Sequence, residues 1–251
     1  MAYMRKILAI DVGNTNVTVG LFRDKKLAKK WRFVTDPQIC KDFIRKFKRV
    51  NLDGVIIGSV VPEINKHIES AILRIKGIKP IFVTHKNAGV KIGYSRPHEI
   101  GADRLINVAG AYYKYKNAMI IVDFGTATTL DYIDKDGFYK GGAIAPGLAL
   151  ANNILFERTS KLPLAGIKVI KKALPSSTVE AMQIGVYQGY IGLVERLVKN
   201  MVGHVGGRPR IIATGGLAKL ISKGTDIFDS IEPDLTLKGL LRIYNLIKKG
   251  S

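Results

Sequence analysis

Two stretches of the chain share one pattern of apolar and polar positions. Ile7-Leu-Ala-Ile-Asp11-Val-Gly13 is an apolar strand running into an Asp-x-Gly turn, and a second β-prone run follows from Asn16 to Phe22; Ile120-Ile-Val-Asp123-Phe-Gly125 and the run from Thr128 to Ile133 repeat the plan. A polar turn comes next in each case, Arg23-Asp24-Lys25-Lys26 or Asp134-Lys135-Asp136-Gly137, and then a third strand-like stretch. The pattern predicts an antiparallel three-stranded meander at the start of each half. Beyond the meanders, apolar residues recur at three- and four-residue spacing over 64–75, 102–115, 178–201 and 237–247, predicting helices, with short buried strands at 54–60, 80–83 and 211–213. The predicted organisation is two related α/β domains, residues 1–115 and 116–251, with a cleft between them. Chance similarity of two glycine-containing strand ends is the competing explanation. No Pro-, Gly- or Ser-rich linker separates the halves, so they are expected to pack closely.

Composition narrows the class. The chain has 251 residues, 47% hydrophobic and 24% charged, which suits a folded protein and argues against disorder. No run approaches the roughly 18 consecutive apolar residues of a membrane-spanning helix. After the charged start, Met1 to Lys6, the apolar run from Ile7 breaks at Asp11 without a small-residue cleavage site, which argues against a signal peptide. Cys40 is the only cysteine, so no intramolecular disulfide forms; a packed thiol and a cytoplasmic, reducing location are the expectation.

Charge adds a second question. Forty Lys and Arg stand against twenty Asp and Glu, a formal net charge of +20 at pH 7, and residues 1–50 alone hold 13 basic and 4 acidic side chains. Such an excess fits nucleic acid, anionic lipid or an anionic small molecule. Residues 41–49 read as an amphipathic helix with Phe43, Ile44 and Phe47 on one face and the basic residues on the other, which a solvated surface explains equally well. Helix-turn-helix, RNA-recognition and zinc patterns are absent, and the aromatics do not interleave with the basic runs, so nucleic acid is not the expected partner.

Candidate chemistry gathers at the strand ends. A strand stopping at Asp11 and turning through Gly13, Asn14 and Thr15 offers backbone N–H groups, an amide and a hydroxyl beside a carboxylate suited to hydrated Mg²⁺, which is what a phosphate needs; an ordinary hairpin turn uses the same residues. A second such turn, Asp123 to Thr129, lets two loops hold the two ends of a triphosphate. Neither matches the Walker pattern. Thr214-Gly215-Gly216 follows a buried strand, giving either close approach of a flat ring or phosphate, or a simple strand-to-helix turn. In Gly101-Ala102-Asp103-Arg104, at a predicted helix start, the acid and the guanidinium suit a general base with an anion anchor, and also a helix cap. His67, His85, His98 and His204 show no metal-ligand spacing.

Taken in order, Asp11 to Thr18, Gly101 to Arg104, Asp123 to Thr129, Gly141 to Gly147 and Thr214 to Gly216 resemble the type III pantothenate kinases over nearly the whole chain. The resemblance implies an α/β fold of duplicated ribonuclease-H-like domains, as in the acetate and sugar kinase, Hsp70 and actin superfamily. It implies transfer of the ATP γ-phosphoryl group to pantothenate, the first step of coenzyme A synthesis. By the same resemblance Asp11, Val12, Gly13, Asn14, Thr15, Asn16, Val17 and Thr18 form the ATP phosphate-binding segment, with Asp11 the Mg²⁺ partner and Thr126 a further ATP contact. Asp103 is implied as the catalytic residue among substrate contacts Gly101, Ala102, Asp103 and Arg104, joined by Tyr94 and Thr178, with Asp123 at a monovalent cation site filled by K⁺ or NH₄⁺. Arg104 is assigned to the pantothenate carboxylate because a guanidinium grips a carboxylate bidentately. A homodimer is implied, with the helix from Thr178 to Met201 the candidate interface. The rival expectations are another small-molecule kinase of the superfamily and a regulatory or nucleic-acid-binding accessory protein.

Overall fold

A computed structural model of the chain describes residues 4–250 apart from 160, 161 and 164; of the charged N-terminal segment, residues 1–3 lie outside this range. The chain forms two compact units, Met1–Tyr115 with Leu235–Ser251, and Lys116–Asp234.

In the first unit the expected meander is β1 (Lys6–Val12), β2 (Asn16–Arg23) and β3 (Lys26–Val34), antiparallel throughout. After α1 (Ile39–Phe47) the chain enters β4 (Gly54–Ser59), which lies parallel to β1 on the side away from β2. Helix α2 (Pro62–Lys76) leads to β5 (Ile81–Phe82), parallel to β4, so the sheet order is β3-β2-β1-β4-β5. A short β6 (Lys91–Ile92) and a 3-10 turn at Pro97–Glu99 precede α3 (Ala102–Tyr115). One sheet face buries Leu8, Ile10, Val17 and Val19 against Phe43 and Phe47 of α1 and Ile68 and Ile72 of α2.

The basic excess of the first fifty residues sits on the rim of this core. Trp31 and Phe33 turn inward from β3 onto the aromatic pair Phe43 and Phe47, while Lys26, Lys29, Lys30 and Arg32 stay exposed on this edge strand. Charged side chains on a sheet edge discourage pairing with another chain. Lys46 of α1 lies over the Trp31 ring at 5.6 Å.

The second unit repeats the arrangement. Strands β7 (Met119–Phe124), β8 (Ala127–Ile133) and β9 (Phe138–Pro146) form the second meander. Helices α4 (Leu148–Glu157) and α5 (Thr178–Val205) then lead to β10 (Arg210–Thr214), parallel to β7 on the side away from β8. Helix α6 (Ala218–Ile221) and β11 (Ser230–Ile231), parallel to β10, complete the order β9-β8-β7-β10-β11 within this unit. Strand order and sense match those of the first unit position for position.

The last helix departs from the expected division of the chain. Helix α7 (Leu235–Lys249), assigned by the sequence to a second half spanning 116–251, packs on α3 and on β1, β2 and β4 of the first unit. Its buried Leu237, Leu240, Ile243 and Tyr244 cover, beside α3, the sheet face that α1 and α2 leave open. Contact is close where glycines meet: a Cβ on Gly110 would lie 3.0 Å from Gly239 Cα, and one on Gly239 would strike the Ile106 carbonyl. Gly239→Ala therefore lowers stability by about 1–2 kcal/mol, because overpacking against backbone outweighs the gain in helix propensity. Gly203→Ala, late in α5 with open space around its Cβ position, raises it by about 0.5–1 kcal/mol. Denaturant midpoints of the two variants, displaced in opposite directions, check both signs.

Candidate active site

Asp11 lies near the end of β1, the strand with an antiparallel neighbour on one side and a parallel one on the other, paired with Thr18 of β2 and Gly58 of β4. Such a change of direction opens a crevice at the carboxyl ends of the strands, where ligands of α/β sheets bind. The turn is held from within and from behind. Gly13 N–H donates to Asn16 O (3.0 Å), while Thr35, just past β3, donates from its hydroxyl to Gly13 O (2.7 Å) and from its N–H to Thr15 O (3.1 Å). Gly13 and Asn14 do not adopt positive φ; the glycine serves closeness, since a Cβ there would sit 3.3 Å from Asn16 O. Val12 and Val17 point into the core and offer a ligand only backbone, whereas Asn14 and Thr15 form the exposed tip. Thr35 was not singled out by motif, and only the fold brings it to the turn.

The Gly101–Arg104 segment reaches the same end of the β1/β4 pair. Val60, one residue past β4, donates its N–H to Val12 O (3.0 Å), and its side chain lies 3.6 Å from where a Gly101 Cβ would be. Helix α3 begins at Ala102, with part-buried Asp103 accepting the Arg104 N–H at 2.8 Å. Burial pushes the Asp103 carboxyl above its ordinary value, and the Arg104 N–H and guanidinium charge offset this only in part. The aspartate is thus a helix-start acceptor and a desolvated, more basic carboxylate at once. A cavity of about 600 Å³ opens beside Gly101 and Ala102, lined also by Ser59, Thr84, His85, Lys86 and His98. Two of the scattered histidines therefore line one cavity, which no spacing rule reveals. Tyr94 lies exposed in the same unit.

In the second unit Asp123 occupies the place that Asp11 holds in the first, between Thr129 of β8 and Thr214 of β10. Gly215, at φ +91°, lies so close that a Cβ would strike Asp123 Oδ1, and a Cβ on Gly147 would strike the Thr126 carbonyl. The Asp123, Thr126, Gly147 and Gly215 segments thus converge, and glycine at the last two is a condition of that approach. Thr214 donates to Glu232 O at 2.7 Å, anchoring the strand end behind Gly215. Thr178 stands as the first residue of α5. Among the described residues no three His, Cys, Asp or Glu side chains gather into a metal cage, and no helix is long and apolar enough to cross a membrane.

Residues 7–200 match the family described as type III pantothenate kinase. The chain belongs to this family. A type III pantothenate kinase of Geobacter sulfurreducens is 41% identical over 249 residues, covering 95% of this chain and 98% of its own length. Among solved structures, a Campylobacter jejuni protein described as a Baf family transcriptional activator superposes with a TM-score of 0.64 at 19% identity, over 96% of this chain and 99% of that one. MreB 5 of Spiroplasma citri, bound to AMPPNP, gives 0.57 at 12% identity, with 98% of each chain covered. These likenesses are of the α/β fold alone.

For this type III pantothenate kinase the raised Asp103 value has a thermodynamic consequence. A carboxyl that binds its proton more readily folded than unfolded costs stability when ionised, and the cost is relieved as pH falls through the folded value. Asp103→Asn, whose amide oxygen still accepts the Arg104 N–H, is therefore more stable than the parent at pH 7. Urea titrations at descending pH should show the difference shrinking; a variant less stable at pH 7 contradicts the burial argument.

Proposed function

We propose that, in the ATP-dependent phosphorylation of pantothenate that family membership carries, Asp103 takes the proton from the primary hydroxyl of pantothenate. The observation that supports this most is the bridge through Val60, which sets the Asp11 turn and the Gly101–Arg104 segment at one end of the β1/β4 pair. The hydroxyl O–H bond breaks toward Asp103, its oxygen bonds the γ-phosphorus, and the bond to the bridging oxygen breaks so that ADP leaves with that electron pair. Because proton transfer is late in so loose a transition state, positioning carries most of the rate. Burial that raises the Asp103 carboxyl strengthens it as a proton acceptor.

The turn from Asp11 to Thr18 receives the ATP phosphates, with Thr126 a further contact. The part-buried Asp11 carboxylate suits a Mg²⁺ that arrives with the nucleotide, and that ion supplies charge neutralisation on the phosphoryl oxygens when bound. Asp123, backed by Gly215, suits a monovalent cation, K⁺ or NH₄⁺. Tyr94, Gly101, Ala102, Arg104 and Thr178 contact pantothenate, Arg104 through its carboxylate. A homodimer through α5 is supported by Ala181, Gly185, Gly189 and Gly192, which make one exposed, low-relief stripe, and by exposed Leu150, Ile154 and Phe156 on neighbouring α4.

Incubation of the protein with pantothenate, ATP, Mg²⁺ and K⁺ should yield phosphopantothenate and ADP, and a full acceptor panel without pantothenate turnover would overturn the reading. Asp103→Asn lowers kcat about 10²-fold or more with the KM for ATP little changed. Replacing K⁺ by Na⁺ depresses the rate if Asp123 holds the cation. Sedimentation equilibrium should return twice the chain mass, with Gly189→Leu shifting it toward the monomer.

A further inference from the structure

Among the described residues between α4 and α5 there is no strand or helix, and side chains do the work of a backbone ladder. Asn152 donates to Ala165 O (2.9 Å), Gln183 to Gly166 O (2.9 Å), and Gln188 to both Ile170 O (3.2 Å) and Lys172 O (3.0 Å). These amides strap the segment onto α4 and α5 as far as Lys172. Residues 173–177 beyond are exposed, and one side chain anchors them to α5.

That anchor is Glu180. Its Oε2 accepts the Ser176 N–H (2.7 Å), the Ser176 hydroxyl (2.7 Å) and the Lys172 ammonium (2.9 Å), and Lys172 also donates to Ser176 Oγ (3.2 Å). In return Ser177, the residue before α5, accepts the Glu180 N–H on its hydroxyl (3.2 Å). This is a capping box displaced by one residue, since the glutamate reaches the N–H of Ser176 rather than that of Ser177. The Lys172 and Ser176 donors hold the carboxyl at about 2, so it is ionised at every pH at which a kinase is assayed. Thr178 lies inside this loop of bonds, between the tethered Ser176 and the tethering Glu180.

We propose that Glu180 is a positioning residue for the acceptor: by tying Lys172 and Ser176 to the first turn of α5 it holds Thr178 in place for pantothenate. The inference rests on the reading of Thr178 as a pantothenate contact. Without the tie, residues 173–177 have to be ordered when pantothenate binds, so the loss falls on acceptor binding and not on chemistry.

The test compares steady-state kinetics of Glu180→Ala, Glu180→Gln, Lys172→Met and Thr178→Val with melting temperatures of each. Glu180→Ala should raise the KM for pantothenate about tenfold while kcat and the KM for ATP stay within about twofold. Glu180→Gln, which keeps an oxygen for the Ser176 N–H, recovers part of the loss. Lys172→Met acts in the same direction, and combining it with Glu180→Ala adds little, as expected for one network. If Thr178→Val raises the pantothenate KM and Glu180→Ala does not, the clamp is overturned and the contact stands. If Thr178→Val itself leaves that KM unchanged, the contact fails and the clamp with it. A lowered melting temperature and kcat at constant pantothenate KM in Glu180→Ala overturns the proposal in favour of a purely structural cap.

Discussion

β1 and β7 each have an antiparallel neighbour on one side and a parallel neighbour on the other, and the proposed site residues Asp11 and Asp123 lie on these strands. β1 and β7 are each entered before a tight turn to the antiparallel partner and are later joined from the opposite side by a strand that arrives through a helix. Chain leaves the two sides of the strand end in different directions, so the end stays open to a ligand. An aspartate at that point, Asp11 or Asp123, has ladder partners on both sides and little freedom to move. The same constraint explains why the chemistry-bearing segments are loops fixed to a rigid scaffold.

The scaffold keeps those loops narrow by leaving out side chains. Gly215 against Asp123, Gly147 against Thr126 and Gly13 against Asn16 are three approaches that a β-carbon would obstruct to different degrees. Elsewhere the restraint comes from hydroxyls and carboxylates: Thr35 behind the Asp11 turn, Thr214 on Glu232 O, and Glu180 before α5. Burial is used sparingly. Asp103 is desolvated enough to become more basic, and the Arg104 N–H keeps it oriented.

Much of this was legible in the residues themselves. The meanders have period-two runs closed by polar turns, and α3 and the start of α5 fall where apolar spacing and flanking residues put them. Helix α4 escaped notice because its exposed apolar side chains, Leu150, Ile154 and Phe156, blur the amphipathic pattern. The place of α7 could not be read locally, since an apolar stripe says that a helix is buried but not against which sheet. Thr35, through its hydroxyl and N–H, and Val60, through its N–H, act on backbone carbonyls and carry no motif. Glu180 did carry a signal, Ser177-x-x-Glu180, the spacing of a capping box. His85 and His98 line one cavity only after a strand, a turn and a 3-10 turn have been laid around it.

The return of α7 to the first sheet also orders events in time. A chain emerging from the ribosome presents β1 to α3 first, yet the sheet face shared by α3 lacks its second cover until residues 235–249 have been made. The second unit, with its strands contiguous in sequence, is free to fold while the first waits with Gly110 and Ile106 uncovered. The unit begun first is thus the last to be finished, and an early halt in translation leaves an apolar surface for chaperones and proteases to find.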